Sequence, residues 1–244
     1  MDPIDQFISE RQDRIKQQGA DDDFKAISLE WTKQSMDRNY VYNFEWMGRP
    51  IIQFPQDILL LQELIWSVKP DLIIETGIAH GGSLIFSASM LELLGGDGEV
   101  VGVDIDIRKH NREQIENHSM YRRINLIEGS SIDQEIVSQV KAFCEGKKNI
   151  MVILDSMHSH NHVYQELVEY APLVSIDSYM IVLDTFIEDL PEGYFYDRPW
   201  DVGDNPKTAV YKYLKENSDF EIDESFQNKS MVTVAPDGFL KRKA

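Results

Sequence analysis

The amino-acid sequence predicts an α/β fold with a doubly wound, mostly parallel sheet and an added helical segment at the N-terminus. The first observation is a succession of five short apolar runs, each followed by a stretch with helical spacing, at residues 72–75, 100–104, 125–128, 150–155 and 179–184. Near-continuous apolar runs of this length are typical of parallel strands buried on both faces. The second observation is the length of 244 residues, which suits one such domain with a small appendage.

The first fifty residues show a different pattern and are predicted to form a helical segment of their own. Asp2 and Pro3 are typical of a helix start, and a second helical stretch covers about residues 23–37. The segment 1–50 is interpreted either as a lid or as a contact between subunits, and the sequence leaves both open. Residues 51–244 are predicted to form the sheet domain, with a helix over 55–68 and last strands near 220–222 and 231–234.

Composition and charge disfavour several classes of partner. The chain has 42 acidic residues against 24 Lys and Arg, a net charge of −18, whereas nucleic acid is held by clustered Lys and Arg. No apolar run approaches the roughly 20 residues that cross a bilayer, so no membrane partner is expected. The single cysteine, Cys144, fits a reducing compartment, and the acidic N-terminus is unlike a signal peptide. These features predict a cytoplasmic protein.

A carboxylate stands at the end of each of the five predicted strands. These residues are Glu75, Asp104, Glu128, Asp155 and Asp184. Because ligands of doubly wound sheets bind at the carboxyl ends of the strands, the five acids are predicted to gather along the ligand-binding edge.

The loop after the first of these strands is rich in glycine and follows a carboxylate. It reads Glu75-Thr76-Gly77-Ile78-Ala79-His80-Gly81-Gly82-Ser83. The spacing G-x-x-x-G-G differs from the dinucleotide pattern G-x-G-x-x-G, and no lysine follows as in a P-loop. Glu75 would repel a pyrophosphate but suits an ammonium or sulfonium group, while Ser83 and the next helix N-terminus suit a carboxylate. Glu75, Gly77, Gly81 and Ser83 are therefore predicted to bind a zwitterionic amino-acid moiety.

Two further strand ends are suited to a nucleoside. Asp104 ends the second strand, at the position where α/β nucleoside-binding proteins contact ribose hydroxyls. Ser130 follows the third strand and would lie beside the base. Taken with the glycine loop, these residues predict S-adenosylmethionine as the cofactor.

A set of short segments spans about residues 40–240. They are Trp46-Met47-Gly48-Arg49-Pro50, Phe54-Pro55-Gln56-Asp57, residues 70–77 with Gly81-Gly82-Ser83, residues 102–108, Glu128-Gly129-Ser130-Ser131, and Asp155-Ser156 with His158. In this order they resemble the cephalosporin hydroxylase/rhamnosyl O-methyltransferase family. The resemblance implies a Rossmann-like fold of the class I methyltransferase type, S-adenosylmethionine as donor, often a divalent metal, and often a homo-oligomer. It also implies that Asp155 and Asp184 occupy metal-ligand positions.

Side chains after the fourth and fifth strands are suited to catalysis. Two carboxylates on neighbouring strand ends, here Asp155 and Asp184, can hold one hard divalent cation such as Mg²⁺, which would lower the pKa of an acceptor hydroxyl. His158 is predicted to act with Asp155 in catalysis, as the base or as an orienting group, with a structural turn cap as the alternative. A zinc site is disfavoured because no cysteine lies near.

These patterns predict an S-adenosylmethionine-dependent O-methyltransferase that acts on a hydroxyl of a small molecule, either a sugar or a natural-product-like compound. The aromatic and charged stretch at residues 192–206 either covers a sugar or polyketide-like ring or shields the cofactor without selecting a substrate. Two alternatives remain open from the sequence. One is an NAD-dependent oxidoreductase or epimerase on the same fold, and the other is a non-catalytic cofactor-binding protein.

Overall fold

Two helices and a small hairpin form the N-terminal part of the computed structural model, which describes residues 2–244. The helices are α1 (Pro3–Gly19) and α2 (Asp22–Met36), and the hairpin consists of β1 (Phe44–Trp46) and β2 (Arg49–Ile51). Both helices begin after an aspartate whose side chain accepts a backbone N–H: Asp2 from Ile4 at 2.7 Å and Asp21 from Phe24 at 2.9 Å. The second strand of the hairpin includes residue 50, and the predicted division of the chain at that residue stays a prediction.

A seven-stranded sheet forms the centre of the rest of the molecule. Its strands are β3 (Leu72–Thr76), β4 (Glu99–Asp104), β5 (Ile124–Glu128), β6 (Ile150–Leu154), β7 (Tyr179–Val182), β8 (Phe220–Ile222) and β9 (Phe239–Arg242). The spatial order is β5-β4-β3-β6-β7-β9-β8, in which the first five are parallel and β9 is antiparallel to both of its neighbours. The predicted doubly wound, mostly parallel sheet is thereby confirmed.

Helices cover both faces of this sheet. They are α3 (Pro55–Val68), α4 (Gly82–Leu94), α5 (Lys109–Glu116), α6 (Gln134–Phe143), α7 (His160–Tyr170), α8 (Pro206–Glu216) and α9 (Ser225–Ser230). Alternate strand residues enter two apolar clusters: Ile73 packs with the residues of α3 and α4, and Ile74 with those of α6, α7 and α8. Burial on both faces explains why the strands read as unbroken apolar runs.

The last predicted strand, at residues 231–234, is wrong. Met231 ends α9 with a left-handed backbone (φ +59°), and the N–H of Val234 donates to the buried carboxylate of Asp57 at 3.0 Å instead of joining the sheet. The strand forms further along, at Phe239–Arg242. The segment 231–234 is apolar, as a buried strand would be, but a hydrogen bond to a side chain holds it instead of a neighbouring strand. The apolar pattern alone does not separate these two cases, so the sequence predicts the last strand in the wrong place.

The sheet determines where a site can lie. The carboxyl ends of β3, β4, β6 and β7 all face the same edge, because these strands are parallel. Among helices of the described residues, none combines the length and apolar character needed to cross a membrane.

Candidate active site

A cavity of about 550 Å³ lies at the carboxyl ends of the parallel strands. Its wall contains the glycine loop after β3, the ends of β4, β6 and β7, and part of the loop that precedes α8. Of the five predicted strand-end carboxylates, Asp104, Asp155 and Asp184 line it. The cavity therefore lies at the edge where the sequence predicts the ligand.

The other two strand-end carboxylates lie elsewhere. Glu128 is exposed, and its Oε2 atom accepts a hydrogen bond from Arg112 at 2.9 Å. Glu75 is only 1% exposed, because it lies on the same face of the sheet as Ile73, which α3 and α4 cover. The structure thus corrects the prediction that Glu75 and Glu128 gather with the other acids along the ligand-binding edge, while the contact of Glu75 with a cofactor stays a prediction.

Glu75 is connected to the cavity through one serine. Ser83 lines the cavity, and its hydroxyl donates to Oε1 of Glu75. Burial raises the pKa of the Glu75 carboxyl to about 7, although the Ser83 hydrogen bond partly opposes the rise. Its Oε2 atom has no hydrogen-bond partner among the described residues. A buried acid that lacks one partner is the kind of group that a cationic ligand nearby would stabilise.

The glycine loop has a strained backbone. Gly77 and Gly81 both have φ +81°, and Ala79 has φ +42° without being glycine. A Cβ atom on Gly77 would lie 2.0 Å from the carbonyl oxygen of Asp155, so the loop packs directly on the end of β6. Gly77 lines the cavity, whereas Gly81, at the start of α4, faces the side chain of Ile115 in α5.

The predicted ribose and base positions both line the cavity. The Asp104 carboxylate accepts the N–H of Ile78 at 2.9 Å and that of Asp106 at 3.1 Å, so it also supports the glycine loop. Ser130 lies nearby in the same wall. Next to it, the Ser131 hydroxyl lies 3.0 Å from Nε2 of His162, a contact that sequence reasoning missed.

Asp155, His158 and Asp184 come together on the wall of the cavity. One ligand atom from each of the three residues lies within 4.8 Å of the others, and His158 Nε2 is 3.0 Å from Asp184 Oδ2. Burial, and then the neighbouring carboxylate of Asp184, raise the pKa of Asp155 well above its usual range. The two carboxylates offer the oxygen ligands that a hard divalent cation prefers, and such a cation would offset this repulsion.

His158 meets its partner Asp184 only through the tertiary fold. Its imidazole lies beside the two carboxylates as the third side chain of the cluster. Because its partner is distant in the sequence and arises only from the pairing of β6 with β7, no local motif identifies this contact.

The long loop before α8 contributes aromatic side chains to the cavity. Phe195, Arg198 and Trp200 line it, and the Trp200 ring meets the His158 ring edge-on with centroids 4.8 Å apart. The base of this loop is held by Lys207, which is 5% exposed and donates to both oxygens of Asp189 at 2.8 and 2.6 Å. The predicted role of residues 192–206 as a cover is consistent with this placement.

A buried carboxylate behind the cavity also escaped the sequence reasoning. Asp57, in the first turn of α3, is 1% exposed and accepts hydrogen bonds from the Thr233 hydroxyl at 2.5 Å and from the Val234 N–H. Burial raises its pKa to about 7. Its position in a helix first turn is ordinary, so the sequence gives no signal that it is enclosed.

Comparisons with known proteins identify the family of this chain. The family model described as Rhamnosyl O-methyltransferase/CmcI matches residues 38–243. The chain belongs to this family. It is 30% identical over 224 residues to the rhamnosyl O-methyltransferase of Mycobacterium tuberculosis, covering 88% of this chain and 80% of that protein. The corresponding protein of Mycobacterium leprae is 30% identical over 208 residues, covering 84% and 86%.

Solved structures share the fold. An apo structure of CmcI superposes with a TM-score of 0.58 at 21% identity, covering 83% of this chain and 77% of that one. An O-methyltransferase from Bacillus cereus in complex with SAH superposes with a TM-score of 0.53 at 16% identity, covering 80% and 82%. Membership of the Rhamnosyl O-methyltransferase/CmcI family confirms the predicted class, an S-adenosylmethionine-dependent methyltransferase, over the oxidoreductase and the non-catalytic protein.

Proposed function

We propose that the protein transfers a methyl group from S-adenosylmethionine to a hydroxyl group of a small molecule, with a sugar as the favoured acceptor and Mg²⁺ as the assisting metal. The observation that carries the proposal is the cluster of Asp155, His158 and Asp184 in the same cavity as the glycine loop. Similarity supports it: curated relatives are rhamnosyl O-methyltransferases, and one CmcI structure, at a TM-score of 0.57, is described with Mg and SAM.

The donor would be held by the residues predicted from the sequence. These are Glu75, Gly77, Gly81, Ser83, Asp104 and Ser130. When bound, S-adenosylmethionine supplies a methyl group on a positively charged sulfur. Buried and half-buried carboxylates around the cavity favour such a cation over a phosphate. Glu75, with its unpartnered oxygen, contributes to this preference from below the loop.

Asp155 and Asp184 would hold the Mg²⁺, which would lower the pKa of the acceptor hydroxyl and orient it. His158 would then accept the proton of the acceptor hydroxyl. His158 Nε2 lies 3.0 Å from Asp184 Oδ2, and in the tautomer with its proton on Nε2 the neutral imidazole would use Nδ1 to accept the proton. Most of the rate enhancement would come from placing the hydroxyl oxygen against the methyl group.

The loop before α8 would cover the acceptor. Phe195 and Trp200 present aromatic surface to the cavity, which suits stacking on a sugar ring, and Arg198 adds a hydrogen-bond donor beside them. Closing this side of the cavity also excludes water, which strengthens every electrostatic contact inside.

The N-terminal segment is proposed to serve both as a cover and as a subunit contact. Met36, Val41 and Tyr42 line the cavity, which supports the lid role. Helix α1 buries none of its residues and exposes Phe7, which supports an additional contact with a second copy. Sedimentation analysis of the full chain tests the homo-oligomer, and a cytoplasmic location stays a prediction.

A methyl-transfer assay tests the proposed function. The enzyme is incubated with S-adenosylmethionine, Mg²⁺ and rhamnosides, and the methylated product is detected by mass spectrometry. Asp184→Asn should lower the rate by at least about a hundredfold and remove its dependence on Mg²⁺. The matched control is Asp97→Asn, an exposed acid in the turn before β4, which should behave as the wild type. Full activity of Asp184→Asn in a chelator would contradict the proposal.

A further inference from the structure

Asp184 has a left-handed backbone conformation. Its φ is +57° and its ψ is +20°, a region that residues other than glycine seldom adopt. Aspartate tolerates this region better than most residues, but a residue in it still depends on neighbouring contacts to hold it there. The direction in which the Asp184 carboxylate leaves the end of β7 follows from this turn. Whatever holds the turn therefore fixes one of the two proposed metal ligands.

A supporting segment, residues 233–238, contacts the chain just before Asp184. The N–H of Val182 donates to the carbonyl of Gly238 at 2.8 Å. A Cβ atom on Gly238 would lie 2.1 Å from the carbonyl oxygen of Val182, so the two main chains are in direct contact. The supporting segment thus fixes the end of β7 on the side that precedes the turn.

Two more hydrogen bonds join the supporting segment to the chain just after Asp184. The Thr185 hydroxyl donates to the carbonyl of Pro236 at 2.6 Å, and the N–H of Phe186 donates to the carbonyl of Val234 at 3.3 Å. Thr185 is fully buried, so water does not compete for the first of these bonds. The turn at Asp184 is therefore held on both sides by one segment.

The supporting segment is itself held by Asp57, in the first turn of α3. Its two carboxylate oxygens accept the Thr233 hydroxyl at 2.5 Å and the N–H of Val234 at 3.0 Å. The Thr233 oxygen in turn accepts the N–H of Ala235 at 3.0 Å. An ionised carboxylate accepts both donors at once, whereas an amide of the same shape would place an NH₂ group against one of them.

We propose that Asp57 is a positioning residue for the metal centre: it holds the supporting segment in place and thereby fixes the turn from which the Asp184 carboxylate extends. The inference rests on the proposed function, because it requires a metal held by Asp155 and Asp184. It gives Asp57 no contact with the metal itself.

Titration of the full chain with Mn²⁺ at pH 8, followed by electron paramagnetic resonance, tests the inference without an activity measurement. Mn²⁺ takes the same oxygen ligands as Mg²⁺. Asp57→Asn should raise the dissociation constant for Mn²⁺ about tenfold, as for the loss of a group that orients a metal ligand. Binding of S-adenosylhomocysteine, measured by calorimetry, should not change.

A second variant, Thr233→Val, separates positioning from charge. Burial, and to a smaller extent the charge of Asp184, raise the pKa of Asp57, so Asp57→Asn also removes a negative charge that Asp184 senses. Thr233→Val keeps this carboxylate and removes only a hydroxyl that it holds. Positioning predicts weaker Mn²⁺ binding in this variant as well, whereas a pure charge effect predicts no weakening.

Asp71 provides a matched control. Its carboxylate also accepts N–H groups of a neighbouring segment, those of Lys148 and Asn149 at 2.9 Å each. It precedes β3 and so lies at the opposite edge of the sheet from the cavity. Asp71→Asn should lower the melting temperature and leave Mn²⁺ binding unchanged. If Asp57 had a merely structural role, Asp57→Asn would behave in the same way.

Three results overturn the inference. Unchanged Mn²⁺ binding in Asp57→Asn contradicts it while the proposed function stands, and so does weakening in Asp57→Asn without any in Thr233→Val. Failure of the wild type to bind Mn²⁺ overturns the proposed metal role and the inference together. Should Asp57→Asn not fold, Thr233→Val alone must show the weaker Mn²⁺ binding.

Discussion

His158 Nε2 lies 3.0 Å from Asp184 Oδ2, in the wall of the cavity that also contains the glycine loop. This contact joins the segment after β6 to the segment after β7 and places Nε2 against a carboxylate. A proton on Nε2 would leave Nδ1 as the atom that accepts the hydroxyl proton. A substitution of His158 can therefore test its role as the base separately from the proposed metal binding by Asp155 and Asp184.

Replacing His158 should remove the base without removing the metal. His158→Gln is expected to lower kcat by about a hundredfold or more, which is typical for loss of a general base. Binding of S-adenosylhomocysteine should not change. The Mg²⁺ concentration for half-maximal rate should also stay the same, and a large rise in that concentration would instead identify His158 as a metal ligand.

The aromatic side chains of the loop before α8 should act on the acceptor rather than the donor. Trp200→Ala is expected to raise the KM for the acceptor about fivefold through lost stacking, with donor binding unchanged. Tyr196 belongs to the same loop but is 89% exposed, so Tyr196→Ala is the control and should have no effect. Equal effects of the two substitutions would argue against a stacking contact.

Asp57 should make stability depend on pH. Its folded-state pKa is about 7, against about 4 in the unfolded chain. The folded state therefore keeps a proton that the unfolded state releases, and stability falls as pH rises from about 4 to about 7. Relative to Asp57→Asn, the wild-type free energy of unfolding should fall on the order of 3 kcal/mol over this window. Urea titrations at several pH values measure it, and a constant difference would refute the burial effect.

Lys207, the buried cation at the base of the loop before α8, should contribute to stability. Lys207→Met removes the buried ammonium group and leaves Asp189, which is 35% exposed, without its partner; we expect a cost of about 2 kcal/mol of unfolding free energy, as for lost hydrogen bonds to a charged group. Lys229, whose own side chain is 28% exposed in its ion pair with Glu63, is the control, and Lys229→Met should cost less than about 1 kcal/mol. Chemical denaturation distinguishes the two, and similar losses would show that burial of the pair is not decisive.

Much of the fold could be predicted because it depends on local patterns. Leu72, Ile73 and Ile74 are all fully buried, as an unbroken apolar run in a parallel sheet requires. Asp155 and Asp184 meet because β6 and β7 pair in parallel, with Leu154 opposite Val182. Once the strands are placed, the proximity of these two acids follows from topology.

The remaining features depend on contacts that no local pattern contains. Glu75 is buried because α4 packs over its face of the sheet and Ser83 of that helix donates to it, a packing that no local pattern contains. Arg49 reaches His80 only because the hairpin docks on α4, across 31 residues of chain. Asp57 is enclosed by a segment that has the composition of a strand.

The contact between Gly77 and the Asp155 carbonyl is independent of the part of the protein that is proposed to cover the substrate. It involves main-chain atoms alone, so the spacing between the glycine loop and the end of β6 is independent of side-chain rotamers. The loop before α8 takes no part in this contact. Exchanging residues 190–204 for a different sequence could therefore alter which molecule is accepted, while the relative placement of donor and reacting oxygen is inherited unchanged.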